Sequence, residues 1–171
     1  MSGPAPERAE AAGPGPCLGV DLGTGRIGVA VSDSARTVAT PRGVVERSGE
    51  EEVDHAALAG LVAETGATLV VVGVPLSLDG RIGPAAGRVI AEIARLAGAL
   101  AVPVVTIDER YSTVEASRRR REAGAASDRR GGARGRLGRR RPTRARPTRV
   151  SDDAGAAAVI LQAYIDRERC S

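Results

Sequence analysis

The chain of 171 residues has no Phe, Trp, Lys or Asn, and its only aromatic side chains are Tyr111 and Tyr164. Ala, Val, Leu and Ile therefore supply nearly all the apolar mass. All 25 basic residues are Arg, and the missing Phe, Lys and Asn are residue types with A/T-rich codons, which marks a G+C-rich gene and warns against reading every Arg as functional. Cysteine is scarce. Cys17 and Cys170 stand near opposite ends with no metal-type spacing; Cys17 reads as a core thiol, and no disulfide is expected. No apolar run approaches the roughly 18 residues of a helical membrane span. Residues 1–16 lack the apolar stretch of a signal peptide and read as a disordered leader. These absences together predict a cytoplasmic protein.

The formal charge of +4 hides two opposed parts. Residues 118–149 hold 14 Arg against two acids, Glu122 and Asp128, whereas the remainder carries 11 Arg against 19 acids. An acidic body with one basic segment differs from a generally basic binding domain. The segment alternates Arg, Gly and Pro with almost no apolar residue, so it reads either as a disordered insertion or as an out-of-frame stretch of a G+C-rich gene. A single domain is expected over 17–167, interrupted there.

Cys17 to Asp21 is a short apolar strand ending in a carboxylate, Gly23-Thr24-Gly25 supplies a turn, and Arg26 to Ser32 returns as a second strand. A third strand is expected over 42–46. Val53, Ala56, Ala57, Leu61 and Val62 recur at helical spacing over 51–65, with Gly66 as C-cap. The β-branched run 68–74 reads as a strand buried on both faces. A helix over 84–100 carries Val89, Ile90, Ile93 and Leu96, and a further strand covers 102–107. Thr113 is placed to cap a helix starting at Val114, and Ser151 or Asp152 to cap a last helix through Val159, Ile160, Leu161 and Tyr164. The order predicts an α/β protein with a mixed five-stranded sheet flanked by helices. Three antiparallel strands come first; right-handed crossovers then set the last two parallel to the first. That order is the one expected of the ribonuclease H-like fold.

Three acids stand where chemistry could use them: Asp21 ends the first strand, Glu109 follows the last, and Asp153 opens the final helix. Two or three carboxylates suffice for a magnesium ion that keeps several waters. Taken singly, Asp21 is also a turn former before Gly, Glu109 a loop acid beside Arg110, and Asp153 an ordinary acid at a helix start. His55 falls on a helix away from the acids and reads as a surface residue.

Asp21 to Asp33 (DLGTGRIGVAVSD) closely resembles the opening motif of the YqgF/RuvX family, the Holliday-junction-resolvase-like pre-16S rRNA nucleases. Three further stretches resemble that family in order: Gly73-Val74-Pro75-Leu76 with Asp79-Gly80, Asp108-Glu109-Arg110-Tyr111-Ser112-Thr113, and Asp153 to Gln162 followed by Tyr164. The resemblance covers about 17–122 and 150–167. It implies a ribonuclease H-like fold and an endonuclease, dependent on Mg2+ or Mn2+, that processes the 5′ end of pre-16S rRNA. Asp21, Glu109 and Asp153 would be its catalytic acids and metal ligands, with Asp108 as a neighbour. Arg26, Arg110 and Thr113 would bind the nucleic acid. Asp153 is chosen over Asp152 because the family's acid lies nine residues before the Gln matched by Gln162. Two departures stand out: Gly25 replaces a basic residue, and the connection across 118–149 is unusually long. The alternatives are a DNA junction resolvase and a non-catalytic nucleic-acid-binding protein. A sugar kinase or chaperone ATPase shares the Asp-Leu-Gly-Thr opening but needs a second domain, for which the chain has no room.

Overall fold

The computed structural model describes residues 13–75, 83–108 and 149–170, with side chains of the last stretch from Asp152 onward. The elements are β1 (Cys17–Leu22), β2 (Arg26–Ser32), β3 (Ala39–Glu46), α1 (Glu51–Thr65), β4 (Leu69–Val74), α2 (Pro84–Ala99), β5 (Val104–Asp108) and α3 (Arg149–Arg169). The expected helix at Val114 and the Arg-rich segment 118–149, except for the backbone of Arg149, lie outside the described residues. So do Glu109, Arg110 and Thr113.

The five strands form one sheet in the order β3-β2-β1-β4-β5. β1 pairs antiparallel with β2 and β2 with β3, whereas β1–β4 and β4–β5 are parallel, as the crossover rule predicts. The strand bounds moved for local reasons. β3 starts at Ala39, ahead of the expected residue 42, because Pro41 sits in an edge strand beside a register shift between Val29 and Ala30, a place that needs no proline N–H. β5 starts only after Pro103, whose carbonyl accepts from Val70 N.

The pleat divides the core in two. Leu18, Val20 and Leu22 of β1 and Val70, Val72 and Val74 of β4 face α1 and α2, packing with Leu58, Val62, Ile93 and Leu96. Cys17, Leu69, Val71 and Ile107 face α3, packing with Ala157, Ile160, Leu161 and Ile165. Cys17 is the expected core thiol; burial pushes its pKa up, so it is held as the unreactive thiol.

α1 is rotated from its expected phase. Its buried stripe is Asp54, His55, Leu58 and Val62, while Val53 is 51% exposed and Ala56 and Ala57 face solvent. His55 is therefore a buried residue, not the expected surface one. The cause is an ionic cluster under the helix. The Asp54 carboxylate accepts from Ser48 N (2.9 Å) and Ser48 Oγ (2.8 Å) and lies 3.3 Å from Arg47. Arg47 also binds Glu92 of α2, and His55 Nε2 lies 3.8 Å from the same Glu92 carboxylate. An apolar periodicity cannot register an Asp buried by partners from Ser48 and Arg47, nor a His buried beside Glu92 with no hydrogen bond to its Nε2.

Burial pushes the Asp54 carboxyl up, but the Ser48 and Arg47 hydrogen bonds outweigh it and hold it below the ordinary value. A carboxyl depressed on folding contributes stability above its unfolded pKa of about 3.9, and that contribution disappears as the pH falls through the lower folded value. Asp54→Asn is expected to cost about 3 kcal/mol at pH 7, because it leaves Arg47 partly uncompensated in a buried site. Thermal melts of the variant should also depend less on pH below about 4 than those of the wild type. Equal pH slopes would contradict this assignment.

α3 begins at Arg149, upstream of the expected caps, so Asp152 lies in its first turn, within the helix. Asp152 there complements the helix dipole. Gln162 fastens the helix to the sheet. Its amide oxygen accepts from Ala39 N (2.8 Å), and its amide nitrogen donates to Thr37 O (3.2 Å) and Asp166 (2.9 Å).

Candidate active site

Asp21 is the fifth residue of β1, next to the strand's C-terminal end at the centre of the sheet. By the pleat it shares a face with Cys17 and Gly19, the face that α3 covers. Across the β1–β2 ladder it stands opposite Gly28. The backbone of α3 comes down on that same rung. A Cβ added at Gly28 would lie 2.1 Å from the carbonyl oxygen of Asp153, and one at Gly19 would lie 2.6 Å from Leu161 Cβ and 2.9 Å from Ala157 O. Two strand glycines and the small helix residues Ala154, Ala157 and Ala158, all buried, thus let helix and sheet approach backbone to backbone. Interior strand glycines are the signal for such an approach, and Gly19 and Gly28 carry it in the sequence.

This contact sets Asp153 beside Asp21. Burial raises the Asp21 carboxyl above its ordinary pKa, and the charge of Asp153 raises it further. Asp152 is exposed, whereas Asp153 is partly buried. Arg26, at the start of β2, completes the visible group: its Nε donates to Glu46 (2.9 Å) and its Nη1 lies 3.8 Å from Asp153 Oδ2. Arg26 is one-third exposed and Asp153 40% exposed, so this corner is open to a ligand.

Asp108 ends β5 opposite Val74. Ile107 belongs to the α3 face, so alternation sends Asp108 to the α1/α2 side of the sheet, away from the face of Asp21. Among the described residues, no group of three or more His, Cys, Asp or Glu side chains is arranged to hold a metal ion. The pair Asp21–Asp153 still fits a hard divalent cation in its chemistry: two carboxylates, one of them opposed in ionisation by burial and then by the other's charge, gain most from a positive charge between them. Asp33 plays another part. It accepts hydrogen bonds from Thr37 N (2.6 Å), Val38 N (3.1 Å) and the Thr37 hydroxyl, and braces the β2–β3 turn.

The sheet order, the acid on the central strand and the acid on the helix crossing it define a protein of the ribonuclease H-like class. A solved structure supports that fold: RuvC of T. thermophilus in complex with a Holliday junction substrate, with a TM-score of 0.54, 17% identity, and 90% of this chain and 96% of that one covered. The family profile described as "RuvX: Holliday junction resolvase" matches residues 15–167, and the chain belongs to that family. Its relatives include a protein of Anaeromyxobacter dehalogenans (strain 2CP-C), 42% identical over 150 residues that cover 88% of this chain and 96% of the relative. Another, from Mycobacterium ulcerans (strain Agy99), is 42% identical over 160 residues, covering 92% and 82%. Both bear the name "Putative pre-16S rRNA nuclease". No helix among the described residues is long and apolar enough to cross a membrane.

Proposed function

We propose that this chain is a cytoplasmic, metal-dependent endonuclease that trims the 5′ end of precursor 16S rRNA. The observation that carries the reading is the meeting of Asp21 and Asp153, 132 residues apart in sequence, where α3 crosses the Asp21–Gly28 rung, with the Asp21 carboxyl raised by burial and by the charge of Asp153. A fold gains nothing in stability from two facing carboxylates, and perturbed acids of this kind cluster at functional sites. The relatives' shared name supplies the substrate.

In this reading Asp21 and Asp153 hold Mg2+ or Mn2+, with Glu109, the residue after Asp108, as third ligand. Such an ion, when bound, acidifies a water and stabilises charge on phosphate oxygens. The residues themselves do the rest. The backbone of Asp21 is fixed by the β1–β2 ladder, beneath the helix that carries Asp153. Arg26, held by Glu46, presents a cation at the edge of the acid pair that meets a phosphodiester. Arg110 and Thr113, which lie outside the described residues, are assigned to nucleic-acid binding by the motif resemblance alone.

A second reading, cleavage of four-way DNA junctions, draws on the family's description and on the ligand named for the T. thermophilus structure. A single assay separates the two. The full chain, supplied with Mg2+ or Mn2+, is offered a 5′-extended 16S rRNA fragment and a four-way DNA junction of similar length. At least tenfold faster cutting of the RNA is expected; preferential cutting of the junction would reverse the assignment.

A further inference from the structure

We propose that Arg47, on the side of the sheet away from the acids, is a positioning residue for Asp21. The β1–β2 turn that follows Asp21 is short and rich in glycine, and its internal backbone bond, Gly23 N to Asp21 O, is 3.0 Å. Gly23, Thr24 and Gly25 bring no side chain able to pack the turn down, so its position has to be set from outside. Arg47, immediately after β3, does this twice. Its backbone N–H donates to Gly25 O (3.2 Å), and its Nε donates to Gly23 O (3.1 Å).

The guanidinium is itself fixed. Nη1 and Nη2 bind the two oxygens of Glu92 on α2 at 2.5 and 3.1 Å, and Nη1 also reaches Asp54 of α1 at 3.3 Å. The side chain is only 15% exposed, and those of Asp54 and Glu92 are 3% and 12% exposed. Arg is suited to this position because its planar fork offers several donors in fixed directions. One group thus ties the turn two residues beyond Asp21 to both helices beneath the sheet. A carboxylate that must meet a cation within fractions of an ångström depends on such support.

This inference rests on the role proposed for Asp21, and the test keeps the two separable. Arg47→Lys retains a cation for Glu92 but has no Nε–H to place on Gly23 O. In the full-length variant, amide hydrogen exchange across residues 22–26 is expected to quicken about tenfold while β4 exchanges as in the wild type. Affinity for Mn2+ should fall about tenfold, as should kcat on the rRNA fragment, with KM within about twofold. Arg95→Gln, which removes the exposed Arg95–Glu51 pair on the same two helices, should leave all of these quantities unchanged. Turn exchange equal to the wild type, faster exchange shared by β4, or unchanged Mn2+ affinity would each overturn the proposal. If the wild-type protein cuts neither substrate, the reading of the active site fails, and the exchange and Mn2+ measurements still decide the role of Arg47.

Discussion

Replacing Asp21 by Asn is expected to abolish cleavage and, in the same variant, to make the cation-free protein more stable at neutral pH. The two effects share one cause. The Asp21 carboxyl is half-buried and feels the charge of Asp153, and both conditions raise its pKa, burial the more. For an acid whose folded pKa exceeds its unfolded value of about 3.9, ionisation opposes folding. The penalty is absent at pH below the unfolded value, and it is complete above the folded one. Asparagine carries no charge to penalise, so melts in EDTA at pH 7 should move upward relative to wild type. Added Mg2+ should raise the melting temperature of the wild type and leave that of Asp21→Asn nearly unchanged, because stabilisation by a ligand follows its affinity for the native state. In cleavage, losing a carboxylate that holds the ion should cost several kcal/mol of transition-state stabilisation, about a thousandfold or more in kcat. Destabilisation of the metal-free variant, or cleavage near the wild-type rate, would contradict the assignment of Asp21.

The second large effect is structural. Gly28→Ala introduces a single methyl group where the carbonyl of Asp153 lies 2.1 Å from the new atom. The obstacle is helix backbone, which cannot swing aside as a side-chain tip would, so α3 must lift from β2. That movement opens the packing of Ala154, Ala157 and Leu161 on the sheet and draws Asp153 away from Asp21. A loss of about 3 kcal/mol is expected, or roughly 6–12 °C in melting temperature for a chain of this size, with cleavage lost beyond what the reduced stability explains. Gly60→Ala is the matched control. Its Cβ would meet nothing within 4 Å on α1, so it should stabilise the helix by up to about 1 kcal/mol. Should Gly28→Ala melt with the wild type and keep its activity, the close approach of α3 to this rung would be wrong.

These two residues show what was legible in the sequence. The strands, their succession along the chain and the parallel direction of β4 and β5 relative to β1 follow from apolar runs and crossover handedness, because a sheet buried on both faces writes its hydrophobicity directly into the chain. Asp21 and Asp153 were found as acids at element ends and through the family's motifs, but their proximity was not derivable from spacing. It depends on Gly19 and Gly28 admitting the helix backbone, and a glycine in a strand does not announce which partner it admits. The phase of α1 departs from its apolar pattern for the opposite reason. Asp54 and His55 count as surface residues in any apolar pattern, and only the Arg47–Glu92 cluster, assembled from the end of β3 and from α2, accounts for their burial. Arg47 itself looked like one arginine among 25 in an Arg-biased composition. Its contacts with Gly23, Asp54 and Glu92 join three separate stretches of chain, so no local motif contains them.

The most direct test is anomalous diffraction from a crystal of the full chain soaked in Mn2+. The account predicts a peak bonded to one carboxylate oxygen of Asp21 and one of Asp153, lost in Asp21→Asn. Manganese bound elsewhere, with these two side chains free of it, would contradict the claim that a single cation joins the end of β1 to α3.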